Sequence, residues 1–429
     1  MNNFHKTLAL PLGILLTTGA AQATNGYFSH GYGLKASGMG GVATALAQDS
    51  FGGANNPASM VWAGSRMDMG LTWFKPVRDA QRSGALMPTL NGKVESDREN
   101  WLMPELGYNK MINPDLSLGV SVYGNGGMNT TYPQGNFNCG GGAANMVCGS
   151  GTLGVNMMQL VVAPTVSYKL NEKHSVGASV LLGYQRFSAQ GIQSFDNAPG
   201  FPPFTGAPGS VTNRGTDTAF GAGVRVGYMG RLSDQVSVGA SYSSKIRMGK
   251  FDKYKGLFAG GGDFDVPSNY SIGVAFTPNP DWTIGLDYGR INYSEVASVG
   301  NASMPLAPLG APNGPGFGWR DINVVKIGVA WQMNPTWTLR AGYNRGDNPI
   351  RPADVTFNIL APGVVTTHYT AGFTYAMDKD SEITGALMIA PRQSVSGASL
   401  FNGFMGGAAG NERISMRQMS IGVGYSKKF

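Results

Sequence analysis

Three basic residues, Arg225, Lys326 and Arg340, lie in stretches that otherwise consist mainly of glycine, serine and apolar residues. A guanidinium or ammonium group in such surroundings can hold a carboxylate through charge-assisted hydrogen bonds. The carboxylate belongs either to an acidic ligand or to the chain itself, for which Asp49 is a candidate. Each basic residue is therefore a candidate ligand-binding residue, with a structural ion pair as the alternative.

The remaining reactive side chains form no recognisable catalytic or metal-binding set. The sequence has four histidines and two cysteines, without a spacing known for zinc sites. It has no recognisable Ser/His/acid combination, and its Gly-x-Gly runs lack the strand-to-helix setting of a phosphate-binding loop. We therefore expect a protein that is not an enzyme and that uses neither a metal nor a cofactor.

The N-terminal residues have the pattern of a secretory signal peptide. Lys6 precedes an apolar run at 8–16, and Ala21-Gln22-Ala23 has the small-x-small pattern that signal peptidase cleaves. The apolar run is too short to cross a bilayer. We therefore expect residues 1–23 to be removed during export.

The composition is unusual for a soluble globule. Charged residues make up 13%, and 64 of the 429 residues are glycine. No apolar run of about 18 residues follows the signal, which excludes a helical membrane protein. The net charge of +7 is scattered, without a basic run among aromatics, which argues against nucleic acid as a partner. In an exported protein, Cys139 and Cys148 are expected to form a local disulfide that closes a loop.

A turn followed by a strand of strict alternation recurs along the chain, as in VSVGASY at 236–242. The six turns contain residues that suit tight bends and begin at Asn113, Asn171, Ser233, Pro278, Asn334 and Asp378. They lie roughly 45 to 60 residues apart, as expected when one long outer loop separates successive short turns. Arg340 occupies the repeat position that is glycine in other copies, at Gly119, Gly177, Gly239 and Gly285.

This spacing predicts an all-β protein, a transmembrane antiparallel β-barrel of about fourteen strands formed by residues 66–429. The predicted strands are 66–76, 100–112, 116–124, 155–170, 174–187, 218–232, 236–250, 267–277, 281–293, 321–333, 337–346, 367–377, 381–392 and 414–429. Six short turns on one side and seven longer loops on the other place both ends of the barrel in the periplasm.

The alternation also predicts which side of the wall faces lipid. Val325 and Ile327 share one parity, whereas Lys326 and Gly328 have the other. A barrel in a membrane has its apolar side outward, and aromatic residues such as Trp282 near the strand ends fit the two interfacial girdles. An ordinary β-sandwich is the alternative for such alternation.

The C-terminal strand has the same pattern and ends on an aromatic residue. Met419, Ile421, Val423 and Tyr425 share one parity, and the chain ends at Phe429, with Lys427 as an interruption. This ending resembles the signal that the barrel assembly machinery reads, so we expect that machinery as a partner during biogenesis.

Residues 24–65 are rich in small residues and do not alternate like strands, although a short helical stretch is predicted near 42–48. A ring of fourteen strands is wide enough to need filling. Aromatic residues such as Tyr27 and Trp62 need burial, which favours an N-terminal hatch inside the barrel over a flexible periplasmic tail.

Several motifs resemble the FadL/TodX family of outer-membrane transporters for long-chain fatty acids and aromatic hydrocarbons. They span the mature chain: NGYFSHGYGLKASGMGG at 25–41, the Asn-Pro-Ala motif at 56–58, GNGGMNTTYP at 124–133, MMQLVVAPTVSYKLNEKHSVGAS at 157–179 and LFAGGGDFDVPSNYSIGVAF at 257–276. The resemblance implies a barrel closed by a hatch, capture of ligand between the third and fourth outer loops, and sideways release beside a kinked third strand.

The third and fourth outer loops correspond here to 188–217 and 251–266. Their apolar residues are the candidate capture groove: Phe195, Phe201, Phe204, Leu257, Phe258 and Phe264. Exposed apolar loop tips often mark binding sites. The alternative is that these side chains pack against one another and cap the barrel.

Two glycine- or proline-containing motifs are candidate gate elements. Gly124, Gly126 and Gly127 are placed at the end of the third strand, where glycine permits a bulge or kink that opens the wall. The Asn56-Pro57-Ala58 motif is expected to shape a turn of the hatch.

These expectations favour passive uptake of hydrophobic compounds across the bacterial outer membrane by a monomer. Long-chain fatty acids are the first candidate because of the inward basic residues, and aromatic hydrocarbons are the second. A general porin, an outer-membrane lipase or protease, and an adhesin are alternatives. Outer-membrane lipid and lipopolysaccharide are expected partners, the latter through its phosphates.

Overall fold

Alternating apolar and small or polar residues form fourteen long strands in the computed structural model, which describes residues 25–197, 204–304 and 307–429. The predicted signal peptide and Phe201 lie outside these ranges. In chain order the strands are β1 Arg66–Ser83, β2 Trp101–Asn113, β3 Leu116–Tyr132, β4 Leu153–Lys169, β5 His174–Gln190, β6 Asp217–Arg231, β7 Val236–Ser243, β8 Asn269–Asn279, β9 Trp282–Ile291, β10 Ile322–Gln332, β11 Trp337–Gly346, β12 Thr367–Ala376, β13 Ser381–Ala398 and β14 Asn411–Lys428.

The strands close into a barrel in which each strand pairs antiparallel with its neighbours in sequence. The first and last strands close the ring along their whole length, from Arg66 opposite Lys428 to Ser83 opposite Asn411. Closure leaves no free sheet edge. The sequence-based count of fourteen strands, with six short turns on one side and longer loops on the other, is confirmed.

Shorter elements lie in the hatch and in the long loops. Two short strands, Gly92–Glu95 and Arg247–Met248, extend the barrel sheet, and Phe137–Asn138 pairs with Ala143–Ala144 in one loop. The α-helical turns are Leu34–Ser37, Met60–Ala63, Ala259–Gly262 and Ala297–Gly300. The 3₁₀ turns are Pro57–Ser59, Pro88–Leu90, Gln193–Phe195, Asp252–Tyr254, Tyr293–Glu295, Pro352–Asp354, Phe357–Ile359 and Leu400–Gly403. No helix in the described part of the chain is long and apolar enough to cross a membrane.

The outer surface of the barrel carries an apolar belt, as the alternation predicts. Val325, Ile327 and Leu286 are exposed on the outer wall, whereas Asp287 on the opposite parity is buried. Trp282 stacks on Trp331 at the turn side with their ring centroids 5.5 Å apart. An exposed apolar belt with aromatics at its border is the surface of a protein whose solvent is lipid.

The hatch packs closely against the inside of the barrel because several wall positions beside it are glycine. A Cβ atom at Gly239 would lie 2.0 Å from the carbonyl oxygen of Thr44, and one at Gly177 would lie 2.4 Å from the carbonyl carbon of Pro57. Gly119 and Gly285, at the same repeat position, meet hatch side chains at 2.3 and 2.4 Å. The repeated glycine therefore allows the hatch backbone to approach the wall.

The predicted helical stretch at 42–48 is wrong. Those residues follow the wall in an irregular path, and the helical turn of this part of the hatch is Leu34–Ser37. The backbone N–H groups of Ala43 and Thr44 donate to the Asp287 carboxylate at 2.9 and 3.0 Å. Contacts with the wall thus replace the hydrogen bonds that a helix would make within itself.

Candidate functional site

An apolar cavity lies beneath the long loops. Its empty volume is about 590 Å³, a figure that includes the solvent in its open mouth. The lining residues come from β4, β5 and five loops: Val147, Val155, Phe187, Ile192, Phe195, Leu257, Phe258, Ser298, Leu309, Pro315, Gly316, Phe317, Thr356, Phe357 and Leu360. Ser298 and Thr356 are the only described lining residues with polar side chains, and none is charged. The cavity therefore suits an uncharged apolar molecule.

The structure brings most of the predicted capture residues together around this cavity. Phe195, Leu257 and Phe258 line it, Phe204 packs beside Phe195, and Phe264 packs beneath Phe258 at 5.0 Å. Their expected exposure at the loop tips is wrong, because Phe195, Phe258 and Phe264 are buried, with at most 5% of their surface accessible. Packing against other rings removes these faces from water, and the same rings cap the barrel and line its cavity.

A chain of aromatic rings connects the cavity with the outer surface. Phe404 is 41% exposed and lies 5.1 Å from Phe204, whose ring lies 5.8 Å from that of Phe195. Phe401 also contacts Phe195, at 5.8 Å. Phe401 and Phe404 belong to the last outer loop and were not among the predicted residues. Rings of the third and last outer loops thus pack together beside the cavity.

Ring contacts connect the lining residue Phe258 to the hatch through Phe264. Phe264 lies 6.2 Å from Tyr27, the third residue of the described hatch, and Tyr27 packs against Tyr293 and Trp319 at 5.1 and 5.7 Å. The backbone N–H of Tyr27 donates to the Tyr293 hydroxyl at 3.2 Å. The start of the hatch is thus bonded to a long outer loop directly below the apolar cavity.

The third strand is irregular where the hatch meets it. The register of β3 against β4 shifts between Gly124 and Gly126, which leaves Asn125 as an extra residue. Pairing of β3 with β2 ends at Leu106 opposite Val122, so β3 leaves its neighbour just before the bulge. The expectation that the three glycines end the strand is wrong. β3 continues to Tyr132 through its pairing with β4.

The hatch holds this bulge directly. Phe28 forms an isolated bridge with Gly126, where a Cβ atom would lie 1.7 Å from the Tyr27 carbonyl oxygen. The Tyr32 hydroxyl and the backbone N–H of Ser29 donate to the Asn125 carbonyl oxygen at 3.2 and 3.3 Å. Glycine is required at 126 because no side chain fits between the wall and the hatch.

The Asn56-Pro57-Ala58 motif forms a turn of the hatch against the wall. The Asn56 side chain accepts from the backbone N–H of Ala58 at 3.1 Å and caps the short helix that Pro57 begins. Its amide nitrogen donates to the Thr44 carbonyl at 2.7 Å and to the Tyr228 carbonyl at 2.9 Å. One buried side chain therefore joins two parts of the hatch to β6.

The three predicted basic residues do not converge on one site. Arg225 donates to the hatch carbonyls of Gly53, at 2.9 Å, and Ala54, while Lys326 donates to the Gly41 carbonyl at 3.1 Å. Both residues line a second, polar cavity beside the hatch, with an empty volume of about 670 Å³ including its mouth.

Arg340 lies apart from that cavity and donates to the Thr374 hydroxyl at 2.7 Å. In the described ranges none of the three has an ion pair with Asp49 or any other acid. Arg225 and Lys326 thus contact the hatch through its backbone carbonyls instead of through acidic side chains.

A buried ionic network at the short-turn end of the barrel joins the hatch to the wall. Lys35 of the hatch contacts Glu382 of β13 at 2.5 Å, and Glu382 also contacts Arg66 of β1 at 2.7 Å. Arg66 pairs with Asp68 at 2.7 Å, and Asp68 accepts from the backbone N–H of Ser50 in the hatch at 2.9 Å. This network was not predicted from the sequence, because its members lie far apart along the chain.

Burial shifts the pKa values of two hatch residues, His30 and Asp49. Burial lowers the pKa of His30 to about 4, assisted by the neighbouring Lys326, and the His30 ring stacks on His368 at 5.7 Å. Burial also raises the pKa of Asp49, and the charge of Asp68 raises it further. Both shifts disfavour the charged form inside the barrel.

The predicted disulfide is present: Cys139 and Cys148 are bonded within the loop between β3 and β4. This loop also contributes Val147 to the apolar cavity, so the disulfide restrains part of its wall. No group of three or more potential metal ligands occurs among the residues that the structure describes.

The family described as outer membrane protein transport protein (OMPP1/FadL/TodX) matches residues 15–396, most of the chain. The chain belongs to this family. The FadL/TodX resemblance read from the sequence is thereby confirmed, and with the barrel it places the protein in the outer membrane. No functionally curated protein matches the chain.

Solved structures share the fold of the chain at low sequence identity. The toluene transporter TodX of Pseudomonas putida is 21% identical, with a TM-score of 0.70 over 93% of this chain and 99% of that one. The toluene transporter TbuX of Ralstonia pickettii is 19% identical, with a TM-score of 0.64 over 93% and 99%. A FadL homologue of Pseudomonas aeruginosa is 16% identical, with a TM-score of 0.68 over 94% and 100%. These members of the family share the barrel with this chain.

Proposed function

We propose that this protein carries small uncharged hydrophobic compounds, aromatic ones first, passively across the outer membrane. The observation that carries the proposal is the apolar cavity, whose described lining contains two hydroxyl groups and no charge. An ionised carboxylate in such a site would lose its hydration without gaining a hydrogen-bond partner. An aromatic hydrocarbon has no charged group whose desolvation would cost free energy. The toluene transporters TodX and TbuX, which have the same fold, support this choice.

The proposed path begins at the outer surface. A ligand lands on Phe404, passes Phe204 and Phe195, and enters the cavity that Phe258 lines. Each step exchanges one apolar contact for another, so no barrier from polar desolvation arises. Movement down the concentration gradient then needs no energy source.

Release is proposed to follow a shift of the hatch. The rings of Phe264 and Tyr27 connect the cavity floor to the hatch residues that bond Asn125. If the hatch leaves this bulge, the gap between β2 and β3 beyond Val122 opens towards lipid. Gly124, Gly126 and Gly127 then act as the wall side of the gate, and the Asn56-Pro57-Ala58 turn keeps the rest of the hatch in place.

A long-chain fatty acid is the second candidate ligand. The polar cavity lined by Arg225 and Lys326 favours it, because two cations beside an apolar path suit a carboxylate. In this version Arg340 has no direct role, because its guanidinium bonds Thr374. A general porin would need an open lumen, whereas the hatch occupies this one.

The test compares purified protein in liposomes with empty liposomes for uptake of labelled toluene, oleate and a hydrophilic sugar. We expect toluene uptake to be accelerated most, and sugar uptake not at all. Phe258→Ser removes an apolar cavity wall and should lower toluene uptake about tenfold, since it forfeits on the order of 1–2 kcal/mol of apolar contact. Phe220→Ser, which removes an exposed ring from the outer wall, is the matched control and should leave uptake unchanged.

Each result separates the candidates. If uptake of oleate alone were accelerated, and Lys326→Met abolished that acceleration, the ligand would be a fatty acid instead of an aromatic compound. Acceleration of the sugar would overturn the proposal in favour of a porin. Action as a monomer and insertion by the barrel assembly machinery remain predictions.

A further inference from the structure

A cluster of arginines lies on the outer wall, away from the lumen and its cavities. Arg413 and Arg417 are exposed on the same face of β14, with Ser415 between them. Arg392 of β13 donates to the Ser415 hydroxyl at 2.6 Å and to the carboxylate of Asp79. Arg413 and Arg417 are thus about 13 Å apart along the strand, and the Arg392 guanidinium contacts the residue midway between them.

The height of the cluster coincides with the outer border of the membrane. Below Arg417 the same face of β14 carries Ile421 and Val423, which are 50% and 57% exposed, and Lys427 ends the apolar stretch at the periplasmic side. The ten residue steps from Arg417 to Lys427 span about 25 Å of height at a rise of about 3.3 Å and a tilt of about 40°. That height equals the apolar band of an outer-membrane barrel. Arg417 thus lies where lipid headgroups begin, and Arg413 lies above it.

The charges of Arg413 and Arg417 are not used within the protein. In the described ranges neither guanidinium has a hydrogen bond or an ion pair, in contrast to Arg290, which contacts Asp321 at 2.9 Å. The nearby acid, Asp79, is buried under Arg392. Exposed cations without partners beside a lipid surface are available to pair with an anion from outside the chain.

We propose that Arg413 and Arg417, on either side of the Arg392–Asp79 pair, bind a phosphate of lipopolysaccharide in the outer leaflet. Arginine suits this role because its planar fork donates two parallel hydrogen bonds to a phosphate. The acyl chains of the same molecule would lie on the apolar face below, formed by Ile421, Val423 and the exposed Leu71 of β1. The site is independent of transport, because it faces away from the cavity and the hatch.

The experiment measures binding of lipid A by the detergent-purified protein, with bisphosphorylated lipid A, its enzymatically dephosphorylated form and phosphatidylglycerol as probes. The test variant is Arg413→Gln/Arg417→Gln. The charge-matched control is Arg247→Gln/Arg351→Gln, which removes two exposed arginines elsewhere on the outer side. Retained shift in gel mobility on heating verifies that each barrel is folded.

We expect the test variant to bind bisphosphorylated lipid A at least tenfold more weakly than wild type and the control to bind it normally. Dephosphorylated lipid A should bind wild type as weakly as the phosphorylated form binds the test variant. Toluene uptake should be the same in all three proteins, so a failed transport proposal would leave this one intact. Equal losses in both variants, no effect of dephosphorylation, or equal affinity for phosphatidylglycerol would each overturn the proposed site.

Discussion

Replacing Glu382 by glutamine should release the hatch without unfolding the barrel. Glu382 compensates two buried cations, Lys35 of the hatch at 2.5 Å and Arg66 of β1 at 2.7 Å. Both sides of the Lys35 pair are largely shielded from solvent, with side-chain exposures of 9% and 13%. In Glu382→Gln, Arg66 keeps its ion pair with Asp68, whereas Lys35 loses its ion-pair partner and keeps only uncharged acceptors such as the Gln48 carbonyl at 3.1 Å.

The size of the effect follows from the charge that is left behind. Removing one partner of a buried ion pair costs about 3–5 kcal/mol, because the remaining ion stays desolvated. The lower value corresponds to a change of about a hundredfold in the ratio of docked to released hatch. Lys35→Met should cost less, since Glu382 then still faces Arg66, and Lys35→Met/Glu382→Gln should be less perturbed than Glu382→Gln alone.

Hydrogen exchange measured by mass spectrometry on hatch peptides from 25–65 reports this release directly. We expect exchange there to accelerate about a hundredfold in Glu382→Gln, while peptides of β13 and β14 keep their protection. Asp380→Asn, in the exposed turn beside Glu382, is the control for a change of charge at the same end. If the hatch peptides of Glu382→Gln exchanged as slowly as those of Asp380→Asn, the ionic network would not fasten the hatch.

Three further perturbations test other contacts between hatch and wall. Gly239→Ala places a Cβ atom 2.0 Å from the Thr44 carbonyl oxygen and should lower the thermal unfolding temperature. Gly249→Ala, whose Cβ atom would lie 3.5 Å from its nearest neighbour, should not lower it. Equal unfolding temperatures of the two variants would show that the wall glycines are not needed for the close approach of the hatch. Asn56→Ala removes the bonds to Thr44 and Tyr228 and should destabilise the hatch by about 1–3 kcal/mol in denaturant titrations, with unchanged midpoints as the contrary result. The pKa of His30 is lowered to about 4 in the folded protein, so as the pH drops the imidazole is protonated in the unfolded chain before it is protonated in the folded one. The free energy of unfolding should therefore fall as the pH drops from about 6.5 to about 4. His30→Gln should remove up to about 3 kcal/mol of that dependence, and identical pH profiles of wild type and variant would show that His30 is not buried as a neutral ring.

The sequence predicted the barrel well because its signals are local. Alternation along a strand and the residues of a tight turn act over a few positions, so the strand count and the lipid-facing side could be read directly. The ends of strands were less predictable: β3 continues past the predicted end at Gly124 to Tyr132. That extension depends on pairing with β4 after the bulge, and a partner strand is not visible in the local pattern.

The site was only partly predictable, because its residues meet across long sequence separations. Phe195 and Phe258 were expected from loop composition, whereas Phe404 joins them only because the last outer loop folds over the third. The burial of the loop aromatics was likewise decided by these contacts. Arg225 and Lys326 were expected to face the lumen, but their carbonyl partners depend on the path of the hatch.

The sequence by itself determined a glycine-lined barrel with an apolar exterior and a segment able to fill it, since periodicity and residue size act locally. The tertiary structure alone decided which groups meet inside. Lys35 and Glu382 are 347 residues apart and contact each other only when the hatch is docked. Asn125 of the wall is bonded by the hatch residue Ser29 because the hatch lies inside the barrel. Buried charges and backbone groups need hydrogen-bond or ion-pair partners, and inside the barrel these partners are on the wall. The wall surrounds the hatch only after the ring has closed.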